Sequence, residues 1–315
     1  MSNYISDLVS VIIPTYKRSE SLVRAINSVK NQTYQNIEII IVNDNQVGDE
    51  YSLELYEKMR AFESDDNIIL LEQEKHINGA AARNAGIKHA KGEYIAFLDD
   101  DDYWDLRKID HQLRILKNLD ESWGAVGCMP VRVKGEKVFF VSAPHKDGYI
   151  FNEIMQRVIG LGTGNLLMRR RAVDDAGYFD EALSRHQDIQ FLGFFCSKYK
   201  VKLLKEYLYY IDQTDASNRP DADSIKRVKQ NFYQSVKPLV DSMKKSDKEK
   251  FYIMHDFEVG VVEWKNGRKA EGAKKVLRVF RYPSTAYNSV KRVLQRILGK
   301  KLKHRYMSRY MPTGE

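Results

Sequence analysis

The amino-acid sequence predicts an α/β protein with a mostly parallel sheet flanked by helices, followed by a helical C-terminal extension. β-branched runs alternate with helical patterns through the first hundred residues, and only helical patterns remain beyond about residue 220. The 315 residues are 43% hydrophobic and 30% charged, which is the composition of a globular protein with a sizeable core. These values exclude a disordered chain, a collagen-like repeat and a disulfide scaffold.

The first strand is predicted over residues 9–13, a largely β-branched run that Pro14 ends. A helix should follow, and Ser19 is its predicted N-cap, because a hydroxyl oxygen can accept hydrogen bonds from the first turn. The apolar face of this helix recurs at three- and four-residue spacing, at Leu22, Ala25, Ile26 and Val29.

Three more strands are predicted over residues 37–42, 68–71 and 94–98, with helices over residues 50–62 and 79–91 between them. The first of these strands is almost entirely β-branched, which is typical of a strand buried on both faces. Strands that alternate with helices form parallel sheets, whose ligands bind at the carboxyl ends of the strands. We therefore expect the functional residues directly after the first, second and fourth strands.

The middle of the chain has a less regular pattern. Residues 131–141 are predicted to form a hairpin, residues 165–168 a strand and residues 186–198 a helix. The loss of strand signals sets the predicted domain boundary, with an α/β domain over residues 1–220 and a helical, basic extension over residues 221–315.

The net charge of +8 is distributed unevenly along the chain. Residues 265–310 contain fifteen Lys or Arg and one acidic residue, whereas residues 1–264 contain 36 basic and 41 acidic residues. The basic character therefore belongs to the end of the extension. No nucleic-acid partner is expected, because no recognised nucleic-acid-binding module accompanies this charge.

The basic segment has the pattern of an amphipathic helix. Its apolar positions fall on one helical face, at Val290, Val293, Leu294, Ile297, Leu298 and Leu302. Its basic residues lie on or beside the opposite face, at Lys291, Arg292, Arg296, Lys300 and Lys301. Such a helix could bind an anionic membrane surface, or it could pack its apolar face on the α/β domain. Both alternatives are open.

The N-terminus is short and polar, and no run approaches the roughly 18 apolar residues that a membrane-spanning helix needs. The sequence therefore predicts a cytoplasmic protein without a signal peptide. Any membrane contact would be peripheral, at the inner face of the cell membrane.

Four consecutive aspartates, residues 99–102, follow the fourth predicted strand. Burying four unpaired carboxylates is very unfavourable, and a divalent cation would relieve their repulsion. Oxygen-only ligands favour Mg²⁺ or Mn²⁺, which commonly take one or two protein carboxylates and complete their shell with substrate phosphates. An acidic surface turn is the alternative interpretation.

A metal held through phosphates predicts a nucleotide, and the other strand ends supply suitable groups. Thr15 and Tyr16 offer a hydroxyl and a stacking ring, and Asp44 could accept the N3–H of a uracil. Arg83 could bind a pyrophosphate with its forked guanidinium. Taken alone, Asp44 could equally be a turn residue and Arg83 a solvated helix residue. Their joint position at successive strand ends favours the nucleotide site.

Five separated motifs carry a family resemblance: V-S-V-I-I-P-T-Y-K-R (9–18), N-Q-T-Y (31–34), I-I-I-V-N-D (39–44), N-G with A-R-N-A-G (78–86), and G-E-Y through the last aspartate (92–102). In order and spacing they resemble the family 2 inverting glycosyltransferases of the GT-A fold, over roughly residues 8–215. The resemblance implies a Rossmann-like GT-A domain, with a nucleotide-binding half at about 8–102 and an acceptor half at about 103–220. Asn43 departs from the family pattern, which often has a second aspartate there.

The resemblance implies a role for each motif residue. The nucleotide sugar would be bound by Pro14, Thr15, Tyr16, Arg18, Asp44, Arg83, Asp99 and Asp100. Asp44 would contact the uracil, Tyr16 would pack on it and Asp100 would face the ribose. Asp99 and Asp101 would be the outer members of a DxD metal motif, with Asp101 the main ligand of Mn²⁺ or Mg²⁺.

An inverting sugar transfer also needs a general base on the acceptor side. In the family this base belongs to an acidic pair after a Gly-x-Phe-Asp-Glu turn, and here Asp188 matches the second acid while Gln187 replaces the first. A helix first-turn acid stabilised by the helix dipole is the alternative for Asp188. His186 is a second candidate base and a candidate acceptor contact, because an imidazole titrates near neutrality.

These observations predict a metal-dependent inverting transferase that moves one sugar from a UDP-sugar to a hydroxyl of a saccharide acceptor. The acceptor is expected to be lipid-linked, in surface-polysaccharide assembly such as that of O-antigen or capsule. A non-catalytic nucleotide-sugar-binding module with a membrane-docking tail is the main alternative. A nucleotidyl transferase or nuclease that uses the same acidic loop is the third.

Overall fold

A computed structural model describes residues 4–134, 137–141, 146–213 and 221–283. The parallel part of its nine-stranded sheet consists of β1 (Ile5–Thr15), β2 (Ile37–Asn43), β3 (Ile68–Glu72) and β4 (Gly92–Phe97). These strands lie in the order β3-β2-β1-β4, and each pairing is parallel. Every residue of β2 is buried, as its β-branched sequence predicts, because helices cover both faces of the sheet.

The remaining strands are β5 (Tyr103–Trp104), β6 (Trp123–Lys134), β7 (Lys137–Val141), β8 (Leu166–Arg169) and β9 (Lys200–Asp212). The sheet continues from β4 through β8, β6 and β9 to β5. β7 pairs antiparallel with β6, which confirms the predicted hairpin. β8 is antiparallel to β4 and to β6, whereas β9 runs parallel to β6.

Helices pack on both faces of this sheet. They are α1 (Ser19–Lys30), α2 (Glu50–Met59), α3 (Gly79–His89), α4 (Lys108–Lys117), α5 (Phe151–Met155), α6 (Arg170–Ala176) and α7 (Gln187–Lys198). Because side chains alternate along a strand, Val9, Val11 and Ile13 of β1 pack towards α1, α2 and α4. Ile12 and Ile40 pack on the opposite face with α3, α6 and α7.

The structure corrects three sequence-based details. Ser19 is the first residue of α1, and Arg18 occupies the N-cap position. The Ser19 hydroxyl donates to Glu54 Oε1 at 2.5 Å. The second helix ends three residues earlier than predicted, at Met59, and continues as a short 3₁₀ turn. Asn165, predicted to begin a strand, belongs to the 3₁₀ turn Thr163–Asn165 that precedes β8.

The described part of the extension forms α8 (Ser224–Ser235), α9 (Lys237–Asp241), α10 (Lys245–Lys265), α11 (Lys269–Leu277) and the 3₁₀ turn Arg278–Arg281. Phe232 and Phe251 of these helices share a buried core with Met155 and Leu183 of the α/β part. Within the described ranges, no helix has the length and apolar character that crossing a bilayer requires. The basic amphipathic helix predicted over residues 290–302 lies outside the described residues, so both alternatives for it stay predictions.

Candidate active site

The carboxyl ends of β1, β2 and β4 meet at one edge of the sheet. The Thr15 hydroxyl donates to Asp100 Oδ2 at 2.9 Å, and the Tyr16 backbone N–H donates to the same oxygen at 3.3 Å. Asp44, directly after β2, donates its backbone N–H to Thr15 O at 2.9 Å. Pro14 restricts the backbone of β1 just before this edge. The structure therefore brings together strand-end residues that lie far apart in the sequence.

The four consecutive aspartates alternate between accessible and buried positions. The side chains of Asp99 and Asp101 are 45% and 27% exposed, whereas Asp100 and Asp102 are buried. Burial and the neighbouring Asp101 charge raise the pKa of Asp100 to about 7. Asp99 and Asp101 are therefore the two most accessible carboxylates of this loop.

Two arginines neutralise these accessible carboxylates. Arg83 Nη2 lies 2.5 Å from Asp99 Oδ1, and Arg18 Nη1 lies 2.5 Å from Asp101 Oδ2. Arg83 Nη1 also donates to the Gly79 carbonyl at 3.1 Å, which holds the guanidinium at the start of α3. Guanidinium groups bind carboxylate and phosphate oxygens with the same fork, so both arginines can exchange one for the other.

The donor set fits a divalent cation that shares its shell with a ligand. Among the residues that the structure describes, no three His, Cys, Asp or Glu side chains converge on one point. Mg²⁺ and Mn²⁺ held through a diphosphate commonly take only one or two protein carboxylates, and Asp99 and Asp101 supply that number of oxygen ligands. Arg83 and Arg18 would have to release them first.

Asp102 connects the acidic loop to β9. The Tyr209 hydroxyl donates to one oxygen of its carboxylate, and the Asp212 backbone N–H donates to the other at 2.9 Å. Burial raises the pKa of Asp102 well above its ordinary value. Tyr209 also closes on Gly164, where a Cβ would lie 2.6 Å from the Tyr209 hydroxyl oxygen, so glycine is required at that position. Tyr209 was not predicted.

The Asp44 carboxylate lies in a polar pocket after β2 and is 2% exposed. Its Oδ1 accepts hydrogen bonds from the Ile77 backbone N–H at 3.2 Å and from Gln73 Nε2 at 3.3 Å. Its Oδ2 lies 2.9 Å from His76 Nδ1, and the His76 ring stacks on Tyr16 with centroids 3.9 Å apart. Burial raises the pKa of Asp44, and the contacts with Ile77 and His76 oppose that shift. His76 was not predicted.

Asn43, the departure from the family pattern, organises the same pocket. Its side-chain Nδ2 donates to Glu72 at 2.8 Å and to Ser52 at 3.1 Å, and its side-chain Oδ1 accepts the Asn45 backbone N–H at 3.0 Å. An amide can donate and accept in this position, whereas a second aspartate could only accept. Asn43 therefore fixes the turn that presents Asp44.

Asp188 lies in the first turn of α7, where the charges of Arg83 and Asp99 act on its carboxyl. Its Oδ1 accepts the Thr163 hydroxyl at 3.2 Å. Burial raises the pKa of Asp188, while the positive charge of Arg83 opposes the shift. Gln187, its neighbour, accepts a hydrogen bond from Arg83 Nη1 at 3.4 Å and so links α7 to α3. His186 occupies the N-cap position, and Asp188 is a first-turn acid, a position that the helix dipole also favours.

His186 faces the helical extension. Its backbone is left-handed (φ 63°), and its ring packs on Phe232 at 5.3 Å and near His255 at 6.2 Å, between centroids. Burial, together with the charge of Lys229, lowers the pKa of His186 to about 3, so the ring is neutral at physiological pH. The half-buried ring packs against the extension, and its role as an acceptor contact or a base stays a prediction.

Comparisons with known proteins give the family and the fold. The family model described as Glycosyl transferase family 2 matches residues 10–208. The chain is 30% identical over 185 residues to the amylovoran biosynthesis glycosyltransferase AmsB of Erwinia amylovora, covering 57% of this chain and 60% of AmsB. It is 29% identical over 205 residues to WfgD of Escherichia coli, covering 62% of this chain and 77% of WfgD. WfgD is named a UDP-Glc:alpha-D-GlcNAc-diphosphoundecaprenol beta-1,3-glucosyltransferase.

AmsB and most of the other curated relatives are matched over less than two thirds of their own length. Among solved structures, S. aureus TarS 1–349 in complex with UDP-GlcNAc superimposes with a TM-score of 0.62 at 20% identity. That match covers 85% of this chain and 78% of the TarS chain. At this identity the likeness establishes the fold, and it confirms the predicted α/β architecture of the GT-A type.

Proposed function

The chain belongs to glycosyl transferase family 2, and from that premise we propose that it is a metal-dependent, inverting glycosyltransferase. It would move one sugar from a UDP-sugar to a hydroxyl group of a saccharide acceptor. The observation that supports this proposal most strongly is the position of Arg83 between the acidic loop and α7, where the charges of Asp99 and Asp188 both act on its guanidinium. The residues proposed to bind the diphosphate, the metal and the acceptor proton, which are Arg83, Asp99 and Asp188, are therefore adjacent.

The nucleotide would bind along the edge formed by β1, β2 and β4. The buried Asp44 carboxylate is suited to accept the imide N–H of uracil, and Tyr16 offers a ring on which the base can stack. Asp100, at the next strand end, would accept hydrogen bonds from the ribose hydroxyls. Arg18 and Arg83 would exchange their aspartate partners for the oxygens of the diphosphate.

Asp99 and Asp101 would hold Mn²⁺ or Mg²⁺ together with that diphosphate. When bound, the cation neutralises the negative charge that develops on the leaving group. Arg83 supplies positive charge to the same group from the side of α3, in a pocket where burial strengthens electrostatic interactions.

Asp188 would act as the general base. Thr163 donates hydrogen bonds to its carboxylate and orients it, and the carboxylate would accept the proton of the attacking hydroxyl. The acceptor oxygen forms its bond to the anomeric carbon as the bond from that carbon to the diphosphate oxygen breaks. UDP leaves with the electron pair, the proton stays on Asp188, and the configuration at the anomeric carbon inverts.

The acceptor is proposed to be a lipid-linked saccharide in surface-polysaccharide assembly. This part of the proposal is supported by the names of two relatives, a glycosyltransferase of amylovoran biosynthesis and a glucosyltransferase whose acceptor is a diphosphoundecaprenol-linked GlcNAc. A lipid-linked acceptor would require the protein to work at a membrane surface.

The end of the described extension is compatible with peripheral membrane contact from the cytoplasm. Leu277 and Phe280 are 63% and 57% exposed there. Seven basic residues and one acidic residue lie between residues 265 and 281. The predicted helix over residues 290–302 would add further cations next to this surface, each contributing about 1 kcal/mol near anionic lipids.

Thermal shift with a panel of UDP-sugars, with and without Mn²⁺, tests nucleotide binding directly, because a ligand that binds the folded state raises Tm. We expect one UDP-sugar to raise Tm, and Mn²⁺ to increase the shift. Asp44→Ala should lose the shift, whereas Asp120→Ala, in an exposed turn, should retain it. No shift with any UDP-sugar would contradict the proposal.

The reaction products separate the alternative functions. Binding without sugar transfer would favour the non-catalytic module, and release of nucleoside monophosphate in place of UDP would favour a nucleotidyl transferase or nuclease.

A further inference from the structure

His76 lies in the loop between β3 and α3, against the buried carboxylate of Asp44. Both ends of this loop are fixed. The Gln73 backbone N–H donates to Asn43 O at 3.2 Å, and Asn78 caps α3 by accepting two backbone N–H groups at 2.9 and 3.1 Å. The His76 side chain is 40% exposed. It can therefore change rotamer while the ends of its loop stay in place.

The His76 ring makes two specific contacts. Its Nδ1 lies 2.9 Å from Asp44 Oδ2 and 3.0 Å from the Asp44 carbonyl oxygen. Because both oxygens are acceptors, Nδ1 must carry the hydrogen. The ring plane lies 16° from that of Tyr16, with the centroids 3.9 Å apart, which is a stacked pair.

These are the two contacts that the proposed function requires of a uracil. An imide N–H would donate to Asp44, and the planar base would stack on Tyr16. Asp44 Oδ1 already accepts from Ile77 and Gln73, so Oδ2 is the oxygen to which another N–H could donate. Two rings cannot occupy one stacking position on the same face of Tyr16. The base and the imidazole therefore compete for one place.

We propose that His76 is an affinity-determining residue for the nucleotide, since its ring occupies the base position in the free protein and must be displaced before the base can bind. This inference rests on the proposed function. The apparent dissociation constant equals the intrinsic one divided by the fraction of molecules in which His76 has moved aside. The exchange replaces one N–H and one stacked ring with another, so His76 weakens binding without abolishing it.

The exchange also sets a requirement on the base. A base that carries an N–H between two carbonyl groups replaces the hydrogen that His76 gives to Asp44. Cytosine has a lone pair at the corresponding nitrogen, which would face the carboxylate. Uridine should therefore displace His76, whereas cytidine should not.

Uridine is the most direct probe, because it carries no phosphate and leaves Arg18, Arg83 and any metal uninvolved. Calorimetric titration would compare the wild type with His76→Ala, His76→Phe and the control His111→Ala. His111 forms the same kind of pair with a carboxylate, at 2.6 Å from Glu206 Oε2, on α4. We expect His76→Ala to bind uridine about 3–30-fold more tightly than the wild type. His76→Phe, which stacks without donating, should be intermediate, and His111→Ala should match the wild type.

Proton NMR of the wild type supplies a second readout. The ring protons of His76 should shift when uridine is added, because the stacking on Tyr16 ends, and cytidine should leave them unchanged. Equal or weaker uridine binding by both His76 variants, or His76 resonances that do not respond to uridine, would overturn the inference. If UDP with Mn²⁺ binds to the wild type in either case, the proposed function survives. If UDP binds to neither the wild type nor any variant, both this inference and the proposed function fail.

Discussion

Asp100 is proposed to bind the ribose hydroxyls, but burial of its carboxylate charge destabilises the ligand-free protein. Thr15 and Tyr16 donate hydrogen bonds to it, but burial and the Asp101 charge raise its pKa from 3.8 to about 7. The folded state therefore favours the protonated form more than the unfolded state does. The contribution of Asp100 to stability is therefore most favourable below about pH 4 and becomes less favourable as the pH rises through 7.

Asp100→Asn should stabilise the ligand-free protein at pH 8. The amide oxygen can accept the same hydrogen bonds from Thr15 and Tyr16, and the substitution removes a buried charge. We expect Tm to rise by about 2–4 °C at pH 8 for each kcal/mol gained, and the gain to shrink at pH 5.5, where Asp100 is already protonated in the folded wild type. Calorimetry at both pH values measures this difference.

The control for this change is Asp120→Asn. Asp120 is exposed, and hydrogen bonds from Ser122 lower the pKa of its carboxyl, so its substitution should not raise Tm at pH 8. A lower Tm of Asp100→Asn at pH 8, or an equal difference at both pH values, would contradict the account of Asp100.

Residues at the ends of predicted strands could be identified from sequence, and residues that meet them from elsewhere could not. Asp44 and Thr15 follow strand patterns, so their shared edge follows from the rules for parallel sheets. His76 lies in a loop without a periodic pattern, and its contact with Asp44 depends on how that loop folds back. The left-handed backbone of His186 turns its ring towards α8 and α10, which the sequence pattern does not indicate.

At the scale of elements, β9 joins the acidic loop to the turn that contacts Asp188. Its Tyr209 hydroxyl donates to Asp102 in the acidic loop, and the same ring packs on Gly164 in the 3₁₀ turn before β8. That turn contains Thr163, which donates to Asp188. A displacement of β9 would therefore move the acidic loop and the surroundings of Asp188 together.

Tyr209→Phe should destabilise the protein by about 1–3 kcal/mol, because it leaves one oxygen of the buried Asp102 carboxylate without its hydrogen-bond donor. Urea unfolding would measure the loss, with the slope against urea unchanged. Tyr149→Phe is the matched control, since Tyr149 is 53% exposed and its ring can still contact Lys200 after the change. Equal stability of Tyr209→Phe and the wild type would exclude a structural role for this hydroxyl.

The elements of the parallel half were predictable, and those of the mixed half were less so. Five of the six residues 37–42 are β-branched, which is typical of a strand buried on both faces. β9 gives no such signal, because its buried positions do not alternate regularly. Its register with β6 also shifts at three places. β5 has only two residues and depends on pairing with β9.

At the scale of the whole molecule, the helices of the extension contact α5 and the turn that precedes α7. His255 Nε2 donates to the Met155 carbonyl at 3.0 Å, and Lys229 Nζ donates to His255 Nδ1 at 2.8 Å. The Ser235 hydroxyl donates to Asp180 Oδ2 at 2.5 Å, in the turn that precedes α7. The charge distribution of the sequence identified the extension, but not these contacts, which join residues 26 to 100 positions apart.

Two truncations should therefore behave differently. A chain that ends at Tyr282 keeps α8 to α11 and should retain the Tm of the full chain, but it should float markedly less with anionic vesicles, because it keeps only the cations up to Arg281. A chain that ends at residue 213 exposes the core around Met155 and Leu183 and should fail to fold. Vesicles of neutral lipid provide the control for charge, and 1 M salt should release the full chain from anionic ones. Equal flotation of the full chain and the Tyr282 truncation would contradict membrane binding through the basic segment.

The most direct test of the central claim is the product that the protein forms from α-linked UDP-sugars. Proton NMR of fresh reactions with Mn²⁺ would follow UDP and the anomeric configuration of the transferred or hydrolysed sugar, for the wild type and Asp188→Asn. We predict UDP and a β-configured product from the wild type, and a rate about 10²–10⁴-fold lower for Asp188→Asn with nucleotide binding retained. A retained α configuration, or equal turnover of the two proteins, would contradict the account.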